Sequence, residues 1–238
     1  MIPNLIITLL ALFTAAIIHE YSHGYVAWKL GDPTAKRAGR LTLNPVPHVD
    51  PVGTILVPLG LILLQMVFGG GLFIFGWAKP VPIDPRYFKD TERGMLQVGL
   101  AGPMSNVLML SLAALIGHLM VPLYQSYFLG NQGGFLFQFA RNGLGLLIYF
   151  LGVFVFINII LAAFNLIPMP PLDGSRILSY FLSPRGKQIM AQLEQYGFLI
   201  ILAVLWLGGD LFFWAIQRLW LFVLGPNWYK ISFLGGVL

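Results

Sequence analysis

Five stretches of this 238-residue chain are apolar for long enough to cross a lipid bilayer, which leaves few folds open to it. They fall near residues 3–27, 52–78, 95–122, 144–164 and 197–224, each compatible with the roughly 20 residues that a membrane-crossing helix requires. Only 10% of the residues are charged, where a soluble domain of this size would carry about 25%. The expected fold class is therefore an all-α polytopic membrane protein. There is no cysteine, so disulfides, thiolate metal sites and cysteine nucleophiles are excluded together.

The basic residues report topology. Lys29, Lys36, Arg37 and Arg40 lie in the polar segment 28–50, and Lys79, Arg86, Lys89 and Arg93 in 79–94. Both segments read as cytoplasmic by the positive-inside rule. A net charge of +5 clustered between apolar runs forms no stripe for a nucleic acid, and none is expected as a partner; the lipid bilayer is. With both flanks on one side, 52–78 is expected to be a re-entrant hairpin, turning at Gly69-Gly70-Gly71 and broken by Pro58. Four crossings remain, with both termini outside the cytoplasm. The first apolar run lacks a basic flank and a small-residue cleavage pattern, and is read as a retained span.

That run carries seventeen uncharged residues, Ile2 to Ile18, and then His19-Glu20-Tyr21-Ser22-His23, an H-E-x-x-H motif. Residues four apart on a helix stand one above the other, so His19 and His23 can offer two imidazoles to one ion. Glu20 is one step round, placed to act as a base without occupying a coordination position. Ionisable groups in or beside hydrocarbon are costly unless a metal or partners compensate them.

A hydrolytic zinc site takes three protein ligands and leaves a position for water. His48, His118, Asp173, Glu194 and Asp210 are the remaining candidates of note. Asp173 follows an inward-going span and reaches the depth of the histidine pair, whereas His118 lies near the outer end of its span and Asp210 midway along the last. The run Asn165-Leu166-Ile167-Pro168-Met169-Pro170-Pro171-Leu172-Asp173-Gly174 forbids regular helix, and unwound backbone at membrane depth is tolerated where protein covers it. On the residues alone Asp173 is either a ligand or the cap of a helix beginning near Ser175.

H-E-x-x-H at 19–23 with N-x-x-P-x-P-x-L-D-G at 165–174 resembles the paired signatures of the site-2 protease family of intramembrane zinc metalloproteases, peptidase family M50. Gly99-Leu100-Ala101-Gly102-Pro103-Met104-Ser105-Asn106 resembles that family's central-span motif, and the likeness covers most of residues 1–182. It implies His19, His23 and Asp173 as ligands of one zinc ion, Glu20 as the catalytic base and Asn165 as a clamp on substrate backbone. It implies cleavage of peptide bonds in or near the transmembrane segments of membrane proteins. No stretch has the length or polarity of an added PDZ or CBS domain. Residues 1–182 read as the protease core, and 183–238 as an amphipathic segment with a final span.

A helical substrate must be locally extended to be cut, and Gly39-Arg40-Leu41-Thr42-Leu43-Asn44 alternates like a short strand that could pair with it. His48-Val49-Asp50-Pro51 reads as an interfacial turn in preference to a second metal site or proton relay. A transporter with broken helices, or a catalytically inactive membrane adaptor, would share parts of this pattern. The simplest location is a prokaryotic plasma membrane, with the active site toward the cytoplasm.

Overall fold

The computed structural model describes residues 2–57, 59, 60, 63, 64, 78–128, 131 and 133–230. Its helices are α1 (Ile2–Lys29), the single turn α2 (Thr34–Arg37), α3 (Thr91–Phe128), α4 (Phe135–Asn165), α5 (Asp173–Phe181), α6 (Pro184–Glu194) and α7 (Gly197–Tyr229). Four of these, α1, α3, α4 and α7, are long and apolar enough to cross a membrane, as the charge pattern leads one to expect. The protein is an integral membrane protein. The chain divides into two compact units, residues 1–15 with 103–238, and residues 16–102.

In the first unit α4 is the most buried span, with Ile148, Val155 and Ile159 in its core, and α7 packs along it. Without water to drive apolar faces together, such helices associate through close packing and a few buried hydrogen bonds. Asn106 of α3 donates its Nδ2 to Oδ1 of Asn158 in α4 at 2.8 Å, and Asn158 Nδ2 donates to the Phe154 carbonyl. Both asparagines are fully buried. At the far end of α7 the Trp228 indole donates to the Ile148 carbonyl at 3.1 Å, and its ring covers Gly117, where an added Cβ would lie 1.9 Å from it.

α4 stops at Asn165, and the proline-rich segment that follows is irregular, closed by the turns Met169 N–H to Ile167 O and Leu172 N–H to Met169 O. α5 then starts directly. A Cβ on Gly174 would fall 2.3 Å from the Ile167 carbonyl, so a glycine is required where α5 meets the end of α4. Ser183 caps the N-terminus of α6, accepting from Gly186 N–H.

In the second unit α1 ends where its chemistry dictates. Lys29 stands in the last turn, and Gly31, at φ +107°, donates to the Trp28 carbonyl. The next residue, Asp32, is fully buried; its carboxylate accepts from the Thr34 N–H and hydroxyl and from Asp84 N–H at 2.7 Å. This clasp fixes the loops beside a small core of Ala27, Phe88 and Val98.

Two sequence expectations meet this structure differently. The short strand expected at 39–44 does not form, and no strand is present among the described residues: Leu41 to Leu43 bend, and Arg40 turns its side chain onto Lys79 and Pro80. The neighbouring segment has prolines at 80 and 82, which lack the N–H groups a ladder needs. The re-entrant hairpin at 52–78, with Pro58 and Gly69–Gly71, lies largely outside the described residues; Pro51–Leu56 is a π-helical turn.

Gly117→Ala is expected to destabilise the first unit by about 1–3 kcal/mol through overpacking against Trp228. A lower thermal midpoint of the purified protein in detergent checks this, with Leu119→Ala, an exposed position on the same helix, as the comparison.

Candidate metal centre

His19 and His23 stand one turn apart on α1, both buried, with their Nε2 atoms 3.1 Å apart. Two nitrogens that distance apart subtend roughly 100° at an ion about 2.05 Å from each, close to a tetrahedral angle. His23 Nδ1 lies 2.7 Å from the Val98 carbonyl, which can only accept. Nδ1 therefore carries the proton, and Nε2 keeps its lone pair for a metal. Gly102, one turn along α3 from Val98, backs the pair: an added Cβ would lie 2.4 Å from His23 Nε2 and 2.6 Å from His19 Nε2. The helix supplies a carbonyl that orients one imidazole and, at Gly102, backbone with no side chain beside the two Nε2 atoms.

Glu20, half-buried, is held from a different direction. Its Oε2 accepts from the Val81 N–H at 2.9 Å. One carboxylate oxygen is thereby anchored on an extended loop, while the histidines beside it are anchored on α3. Further along the same loop, the Asp84 carboxyl is held below the ordinary carboxylate range by the side-chain hydrogen bonds from Arg86.

In the first unit, Asp173 is the first residue of α5 and is buried. Leu172 occupies the N-cap position, so Asp173 is not the cap that the sequence left open, and Arg176 stands 3.9 Å from its Oδ1. Asn165 closes α4 by donating Nδ2 to the Leu161 carbonyl at 2.9 Å. This satisfies backbone at the broken helix end.

His48, Asp50 and His118 are otherwise engaged. His48 ends a 3-10 turn with Nε2 on the Thr42 carbonyl, and Asp50 caps the following turn through Val52 and Gly53 N–H. The segment is a turn bounded by Pro47 and Pro51. His118 sets its Nε2 2.7 Å from the Val223 carbonyl and its ring edge against Trp228. Glu194 ends α6, and Asp210 lines a recess of about 390 Å³ on α7 with Phe156, Phe213, Trp214, Gln217 and Trp220. Sequence reasoning missed Val98, Gly102 and Val81. Gly102 sits in the Gly99–Asn106 motif, but that motif alone does not show what the glycine faces.

The family model for peptidase family M50 matches residues 7–208. The chain belongs to peptidase family M50. It is similar to "Putative zinc metalloprotease YwhC" of Bacillus subtilis, with 39% identity over 86% of this chain and 80% of the relative. It is 30% identical to "Putative zinc metalloprotease Rip2" of Mycolicibacterium smegmatis over 79% of this chain and 62% of that protein. It is 28% identical to the Rip2 protein of Mycobacterium tuberculosis over 93% and 74% of the two chains. No solved structure matches.

This M50 peptidase is a zinc metalloprotease, and its residues fit the metal. The imidazole pair has the right separation, a fixed tautomer at His23, and a glycine where any side chain would fill the space beside both nitrogens. Two imidazoles and a carboxylate are a donor set that suits zinc and leaves a place for water. Gly102→Ala is expected to weaken zinc affinity about tenfold or more, read as zinc lost to a competing chelator that the parent withstands, since displacing groups that orient ligands costs 10–100-fold in affinity. Metal analysis by mass spectrometry checks this, with Met104→Ala, exposed on α3, retaining zinc.

Proposed function

We propose that this M50 peptidase cleaves membrane-protein substrates in or near their transmembrane segments, with His19, His23 and Asp173 holding one zinc ion and Glu20 as the base. The observation that carries the reading is the oriented imidazole pair with its glycine backing, placed on α1, a helix long and apolar enough to span the bilayer. Buried ionisable groups in such a helix are rare without a function.

Zinc bound there supplies Lewis-acid polarisation of the scissile carbonyl and makes water a competent nucleophile near neutral pH. The rest falls to the protein. Glu20 takes a proton from the attacking water as the C–O bond forms, and then delivers it to the leaving amine as the C–N bond breaks. Its Oε2 is anchored on Val81, which keeps the carboxylate from swinging between the two transfers. Asn165 lends its amide to an extended substrate backbone beside the irregular segment 166–172.

The basic loops face the cytoplasm in this reading, which puts the active site on the cytoplasmic side of a prokaryotic plasma membrane. Exposed Lys89 in 79–94 meets lipid phosphates. Residues 1–182 form the catalytic core, and 183–238 add an amphipathic helix and a last span.

Zinc content and cleavage of a panel of single-span substrates, measured for the parent and Glu20→Gln, test the reading. Zinc in both with cleavage in the parent alone is expected, with a loss of at least about 10²-fold from removing the proton acceptor. Cleavage indifferent to the substitution sinks the mechanism. Asp173→Ala is expected to lower zinc content, and full retention removes Asp173 from the ligand set.

A further inference from the structure

Arg40 is a buried guanidinium that makes no ion pair among the described residues. Removing such a group from water is costly, and neutral hydrogen bonds offset the cost only partly. Its Nη2 donates to the carbonyls of Lys79 at 2.5 Å and Pro80 at 3.4 Å. A loop that needed only to be tied down would be held more cheaply by its own backbone.

The segment it grips has an unusual donor inventory. Pro80 and Pro82 have no N–H, so Val81 N–H stands alone between them, and that donor is the one on Glu20 Oε2. Lys79 N–H donates to the His48 carbonyl at 2.9 Å. The Lys79 N–H and carbonyl, the Pro80 carbonyl and the Val81 N–H are thus all placed, by His48, Arg40 and Glu20. Moving any one moves the donor that faces the carboxylate. Proline at 80 fixes one backbone dihedral and stiffens the link from the Arg40 contacts to the Val81 amide.

We propose that Arg40 is a positioning residue for the reaction: it holds Lys79 and Pro80 so that the lone Val81 N–H fixes the Glu20 carboxylate for proton transfer. This rests on Glu20 being the base. Arg40 acts through two peptide units. Both contacts come from one nitrogen, Nη2, held by a planar guanidinium; a lysine ammonium on a flexible stem is a poorer brace.

The test separates the brace from the chemistry. Hydrogen–deuterium exchange of the full-length zinc-loaded protein in detergent, read on a peptide spanning 78–83, follows the Lys79, Val81 and Ile83 amides without any substrate. Faster exchange is expected in Arg40→Ala and in Glu20→Ala, whereas unchanged exchange in Arg40→Ala overturns the proposal. In cleavage of a single-span substrate that the parent cuts, Arg40→Ala is expected to lose about 10²-fold in kcat, the scale of a 1 Å misplacement, with KM and zinc content close to the parent's. Arg40→Lys is expected to recover part of the loss, and added guanidinium to restore part of it in Arg40→Ala but not in Glu20→Gln. Val81→Pro, which removes the N–H, is expected to reproduce the Arg40→Ala defect, while Val81→Ala, which keeps it, is not. A fall in KM affinity or zinc content in place of kcat, or no guanidinium rescue, also overturns the role assigned. Should Glu20→Gln cleave normally, the reading of Glu20 as base fails, while the exchange result still reports whether the brace exists.

Discussion

The approach of Gly102 to the two histidine nitrogens is the contact on which the proposed metal centre depends. Two imidazoles on an apolar helix become ligands only if a neighbour orients them without covering them. α3 does both within one turn, with a carbonyl at Val98 and no side chain at Gly102. A larger residue would fill the space that an ion and water require. The order of residues along α3 therefore matters as much as their identity, since carbonyl and glycine must face the same way.

The first unit solves a related problem with different means. Its membrane-length helices are apolar nearly throughout, so burial alone does little to distinguish one arrangement from another in lipid. Specificity comes from a few polar or small groups: the Asn106–Asn158 pair, the indole hydrogen bonds of Trp220 and Trp228 to α4 carbonyls, and Gly117 under Trp228. Gly174 does the same for Asp173, letting α5 begin hard against the end of α4. Small residues here act as permissions for backbone to come close.

Much of this was legible in the sequence. Long apolar runs gave the four membrane-length helices, and H-E-x-x-H gave the paired imidazoles, because both follow from helical periodicity within one segment. The break after Asn165 followed from proline chemistry. Less legible were features that join distant segments. Val81 lies 61 residues from the carboxylate it holds, and nothing local announces that its N–H is aimed there. The alternation at 39–44 suggested a strand, yet the side chain of Arg40, not its backbone, makes the contact with the next loop. His118 had the chemistry of a ligand, but a carbonyl 105 residues away claims it.

Pro80-Val81-Pro82 also bears on how errors would propagate. In an ordinary extended segment, sliding the chain by one position presents another N–H to the same acceptor, so a misaligned loop can satisfy its neighbour and persist. Here a slip of one residue in either direction presents an imino acid with nothing to donate. A slip of one residue therefore leaves the Glu20 carboxylate without a partner here and is penalised at once. Sequence alone makes the correct register self-checking.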